Sequence, residues 1–149
     1  MAGRLRDEPA AALAPDEPTA HAAIARMLAA LRPGGAAIIH LLNLWRLPDG
    51  PCQWQKTVRT MLGGQDHLIV KGVHRSGGRG YVNMLVTNLA TTPPQLHTDS
   101  IPFLGLRVED LRTAAESAGA GSFEFYGNHQ RNPHHPGTSP DLILIAQKR

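Results

Sequence analysis

Residues 28–43 read LAALRPGGAAIIHLLN, and the reading of this stretch decides the fold. Its start closes a helical pattern, because Ile24, Met27, Leu28 and Leu31 fall at i, i+3, i+4 and i+7 and make one apolar stripe. That spacing predicts a helix over residues 19–32, stopped by Pro33, Gly34 and Gly35. Residues 36–43 are then nearly continuous apolar sequence of strand length, the pattern of a strand covered on both faces. Helix, Pro-Gly-Gly and buried strand make half of an α/β unit. His40, inside the run, is expected to be a hydrogen-bonded interior histidine.

The final third has the same grammar. Val108, Leu111, Ala115 and Ala118 place an apolar stripe on a helix that ends at residues 119–121, with Glu109 and Asp110 in the first turn where the helix dipole favours them. Residues 123–126 (FEFY) predict a short strand, and residues 141–146 (DLILIA) form a second continuous apolar run. The middle reads differently. Residues 67–75 and 81–89 are β-rich, and the SGGRG between them predicts a hairpin with a connection of about five residues. Residues 95–106 supply a third strand, whose Pro102 belongs on an edge or in a loop. The insert is expected to occupy about residues 53–106. Residues 1–18, with Pro9, Pro15, Pro18 and an alanine run, read as a disordered tail, leaving 19–149 as the folded part.

The remaining bounds come from size and composition. At 149 residues and 16.1 kDa, the chain can bury roughly 70% of its unfolded surface in one core. With 42% hydrophobic and 18% charged residues it belongs with globular proteins. A formal charge of +3 from scattered basic residues gives no nucleic-acid footprint. Cys52 has no partner cysteine, so a disulfide framework and a CxxC metal site are excluded, and nothing beside it in sequence activates it as a nucleophile. No window approaches the ~18 apolar residues of a membrane span, and the acidic, proline-containing start is unlike a signal peptide. A cytoplasmic protein without nucleic-acid or membrane partners is expected.

Ligands of an α/β domain collect at the carboxyl ends of its parallel strands. Past Leu42 stand Asn43, Trp45 and Arg46; past Tyr126 comes GNHQRNPHHPG (127–137), rich in donors and acceptors. His129, His134 and His135 invite a metal reading, but adjacent histidines rarely face one ion and the loop holds no carboxylate, so no metal is expected. No strand leads into a GxGxxG turn, and no P-loop is present. GGRG (77–80) joins two antiparallel strands and opens no helix.

Residues 28–39 (LAALRPGGAAII) resemble the LxxLxPGGxxxI stretch that leads into the fifth strand of class I S-adenosylmethionine-dependent methyltransferases of the small-molecule type. LRTAAESAG (111–119), FEFYG (123–127) and SPDLILIAQK (139–148) are similar to that family's last helix, sixth strand and seventh strand. The resemblance covers residues 19–149. It implies the C-terminal part of a Rossmann-like α/β sheet, strands five to seven with the last antiparallel, carrying an antiparallel β insert that covers the acceptor. It further implies methyl transfer from S-adenosylmethionine to a small-molecule acceptor, with Asn43, Trp45, Arg46, Tyr81, Asn128 and His129 on the acceptor side and the catalytic residues unassigned. The glycine-rich cofactor turn is not in this chain, so the chain is expected to be a fragment, incomplete and inactive alone, that works with a missing N-terminal half or as a homo-oligomer. The alternative is a non-catalytic α/β interaction module or subunit.

Overall fold

The computed structural model describes residues 14–55 and 57–149. In chain order the elements are helix α1 (Glu17–Ala29), strand β1 (Ala36–Leu42), a 3-10 turn (Leu44–Arg46), strands β2 (Gln53–Trp54), β3 (Val58–Leu62), β4 (Gln65–Ser76), β5 (Arg79–Asn88) and β6 (Gln95–Leu104), helix α2 (Val108–Ser117), and strands β7 (Ala120–Tyr126) and β8 (Asp141–Lys148). They form two compact units, one of the residues up to Arg46 with Leu104–Arg149, the other Leu47–Phe103.

In the first unit β8 lies between β1 and β7 and runs antiparallel to both. The two continuous apolar runs are therefore neighbours in one sheet, with Ile39 opposite Leu144 and Leu41 opposite Leu142. Helix α1 starts at a cap in which the Asp16 carboxylate accepts the Thr19 amide at 2.8 Å. Ile24 and Leu28 of α1 and Leu111 and Ala115 of α2 join Ile39, Leu41, Leu142, Leu144 and Ala146 in one core. Gly119, at φ +80°, ends the second helix and turns the chain straight into β7.

Several expectations are corrected here. β1 is covered on one face only: Ile39 and Leu41 are buried, whereas Ile38 is 69% exposed and His40 is also exposed. The reason is geometric, since both helices pack on the Ile39 face and strand residues alternate between faces. In β8, held between two strands, Leu142, Ile143, Leu144 and Ala146 are buried, so residues on both of its faces are covered. It is antiparallel to its neighbours, so its continuous apolar run reflects a central position in the sheet. His40 is consequently a surface residue rather than an interior one. Along α1 the buried stripe is Ala20, Ile24 and Leu28, with Met27 turned outward. Residues 1–13 of the expected tail lie outside the described residues, while Ala14 is buried and Glu17 and Pro18 are already helical.

The second unit is the antiparallel insert, with strand order β2-β4-β5-β6 and β3 also paired to β4. The central hairpin is tighter than the expected five-residue connection. Ser76 pairs with Arg79, leaving Gly77 and Gly78 as the turn, Gly77 at φ +58°. β6, which carries Pro102, lies at the sheet edge as its proline requires. β2 and β3 lie outside the strands that the sequence predicts. The signal for β3 is the Gly63-Gly64 pair, both at positive φ, between Leu62 and its partner Gln65. No described helix is long and apolar enough to cross a membrane.

Candidate functional site

The end of β1 is tied to the loop between β7 and β8. Asn43 is buried, and its side-chain amide donates to the carbonyl oxygens of Ser139 at 2.7 Å and Pro136 at 2.8 Å. Its Oδ1 accepts the Trp45 amide at 3.2 Å. The same loop is closed internally, with the Ser139 hydroxyl accepting the His135 amide at 2.8 Å and the Gly127 amide reaching Asn132 O at 2.8 Å. A side chain at Gly127 has no room, because a Cβ there runs into the Ser139 side chain and the Pro133 carbonyl. Asn128 caps the turn within the loop, its Oδ1 accepting the amides of Gln130 at 3.0 Å and Asn132 at 3.1 Å. The Asn43 side chain and the Asn128 Oδ1 are thus engaged in shaping this end of the sheet.

Trp45 and Arg46 occupy the turn that follows. The Trp45 indole donates to Gly105 O at 2.9 Å, and the Arg107 guanidinium lies 3.5 Å from the ring centroid. Trp45, Arg107, Val108, Glu109, His134 and Pro136 line a small cleft of about 50 Å³, room for a few waters. Arg46 is half-buried, and its Nε is a buried donor without a hydrogen-bond partner among the described residues. Arg107 carries no signal in the sequence, and His134, singled out there only as a metal candidate, lies here beside Trp45, because nothing in their spacing announces that α2 and the loop converge on that residue.

His129 sits against His40, their ring centroids 4.9 Å apart in an edge-to-face arrangement. His40 Nε2 lies 3.0 Å from Asp141 Oδ1. Register explains this last contact: His40 faces Ile143 across β1 and β8, and Asp141 is two residues before Ile143 on the same face, a diagonal pair. Nearby, the Tyr126 hydroxyl donates to Glu124 at 2.8 Å, and this bond to a carboxylate holds the phenol above its ordinary pKa.

Tyr81 belongs to the insert and so to the other unit. Its ring stacks on His74 with centroids 4.8 Å apart. His74 Nδ1 accepts from the Asn83 amide at 2.8 Å, and Asn83 Oδ1 accepts the Ser100 hydroxyl at 2.9 Å. Cys52 and Trp54 pack over Gly72, which has no space for a side chain. A separate open groove of about 540 Å³ on the insert is lined by His67, Val86, Asn88, Gln95, Leu96 and His97. The six candidates therefore fall into two sets, five around the end of β1 and its loop and one on the insert sheet.

A cradle for S-adenosylmethionine is not among the described residues. Such a cradle needs backbone amides free at a helix start that a strand enters through a glycine-rich turn. Here the start of α1 is capped by Asp16, and at the start of α2 the Asp110 carboxylate accepts the Arg107 amide at 2.7 Å. Neither helix start follows a glycine-rich turn. These residues do not fit that cofactor.

No protein-family model matches this sequence, and none of the curated proteins does. Solved structures do match. An amino pentose methyltransferase from Micromonospora echinaspora, solved with S-adenosylmethionine bound, superposes with a TM-score of 0.67 at 17% identity, over 93% of this chain and 54% of its own. A sugar N-methyltransferase from a Streptoalloteichus species gives 0.71 at 17% identity, over 93% and 52%. An S-adenosylmethionine-dependent methyltransferase from Clostridium acetobutylicum gives 0.65 at 6% identity, over 93% and 54%. The chain spans about half the length of these structures. Over its described helices and strands it has the α/β fold of the C-terminal half of Rossmann-like S-adenosylmethionine-dependent methyltransferases.

Proposed function

We propose that this chain is the acceptor-side part of an S-adenosylmethionine-dependent small-molecule methyltransferase, and that a separate N-terminal half supplies the cofactor site. The single observation that carries the reading is the strand order β1-β8-β7 with the last strand antiparallel between the other two. A sheet of that order, whose β1 is entered through Pro-Gly-Gly and whose β7 is entered from helix α2, fits the fifth to seventh strands of such enzymes. Trp45 and Arg46, at the carboxyl end of β1, are the residues assigned to the acceptor, with Asn43, Asn128 and His129 shaping the wall beside them; Tyr81 is a separate candidate on the insert. Two of the structural neighbours are by name sugar methyltransferases, which makes an amino sugar the first acceptor to try. Orientation of the acceptor towards the methyl group and exclusion of water are the tasks of this half.

The test is to read the coding sequence upstream of Met1, express it in frame with this chain, and measure S-adenosylmethionine binding by calorimetry together with methyl transfer to amino sugars. The extended protein is expected to bind the cofactor, and Arg46→Ala in it to raise the acceptor KM while leaving cofactor affinity unchanged. An extended protein that binds no S-adenosylmethionine overturns the reading.

A further inference from the structure

We propose that His40, His129 and Asp141 form a binding site for a first-row divalent transition ion such as zinc. The inference does not rest on the methyl-transfer reading. One ligand atom from each residue, two imidazole nitrogens and one carboxylate oxygen, lie within 4.8 Å of one another. Tetrahedral donors around a single ion with bonds of about 2.0–2.2 Å lie roughly 3.3–3.6 Å apart, so side-chain rotations that draw these atoms together by about 1 Å close the set. The set draws on β1 and, about a hundred residues later in the chain, on the β7–β8 loop and the start of β8 that it leads into. Each residue is independently placed. His40 and Asp141 are fixed as a diagonal pair by the strand register. His129 is carried by a loop whose turn is capped by Asn128 and whose far end is pinned by Asn43. His134 Nδ1 donates to the Asp141 carbonyl at 3.0 Å, holding the backbone of the carboxylate ligand.

The donor chemistry selects the ion. Two imidazoles with one carboxylate suit zinc, cobalt, nickel or iron(II) and are poorly matched to magnesium or calcium, which prefer oxygen ligands. Three protein ligands leave a fourth position for water or for an oxygen or amine of a small molecule. His40 and His129 are exposed, so the ion can enter from solvent. Their present contacts, an edge-to-face ring pair and one hydrogen bond at 3.0 Å, give way to metal bonds with small side-chain movements.

The experiment titrates Zn²⁺, followed by calorimetry, and Co²⁺, followed by its visible absorption, into the untagged full chain. Saturation at one equivalent is expected, with an intense cobalt spectrum of low coordination number. His129→Ala and Asp141→Asn are each expected to weaken binding by at least about tenfold. His97→Ala and His135→Ala, outside the cluster, are expected to leave it unchanged. Should Asp141→Asn fail to fold by circular dichroism, His129→Ala decides. No saturable binding, binding unaffected by His129→Ala, or an equal loss in His135→Ala overturns the assignment.

Discussion

The Asn43 side-chain amide donates to the Ser139 carbonyl at 2.7 Å, joining the end of β1 to a loop 96 residues further along the chain. A second bond to Pro136 at 2.8 Å uses the other amide hydrogen. Asn43→Ala leaves buried carbonyls without their donor, a loss of about 1–3 kcal/mol. Urea unfolding of the variant should show that loss with an unchanged m-value. Unaltered stability would mean that the amide is dispensable for folding and free for a ligand.

The insert depends on a close approach at Gly80, where a Cβ would overlap the Phe103 ring of β6. Gly80→Ala should destabilise by about 1–3 kcal/mol through overpacking. The double variant with Phe103→Leu should recover part of that loss, since neighbours sharing one space are non-additive. Strict additivity in the thermal unfolding cycle would remove the steric explanation.

Some of this architecture is legible in the sequence and some is not. The runs at 36–42 and 141–146 announce strands of one sheet, although only the second holds its central position. What they do not reveal is which face is covered. That depends on α1 and α2 choosing the same side, which the spacing of Leu28 or Leu111 does not specify. β3 is not legible in the sequence because Val58, Met61 and Leu62 are all exposed, so no inside-outside alternation marks the strand. At the candidate site, Asn43 and Trp45 stand out by position alone, while the approach of His40, His129 and Asp141 depends on register and loop closure.

β3 is also held to β4 by Arg59, whose Nε donates to both carboxylate oxygens of Asp66 at 3.0 Å. The hydrogen bonds from the guanidinium hold the Asp66 carboxyl below its ordinary value. A lowered folded pKa contributes stability that is present above the unfolded value, about 3.9, and is lost as pH falls through the folded one. An NMR titration should place Asp66 below that ordinary value in the parent chain and return it upward in Arg59→Ala. Because the pair is exposed, global stability should change little. An Asp66 titration that is the same in both proteins would dismiss the pairing.

Ile38 projects from the uncovered face of β1, a strand paired only through β8 among the described residues. An apolar strand with a free edge is an association hazard. The purified chain should self-associate in size-exclusion chromatography with light scattering, and Ile38→Glu should reduce that association while changing stability by no more than about 0.5 kcal/mol. A parent chain that runs as a clean monomer would contradict this.

The most direct measurement is calorimetry of S-adenosylmethionine with the purified 149-residue chain. An acceptor-side half with no cofactor cradle of its own should give no saturable heat up to a concentration of about 1 mM. Saturable binding at one equivalent would show that the chain carries a complete cofactor site and that the division of labour proposed for its two halves is wrong.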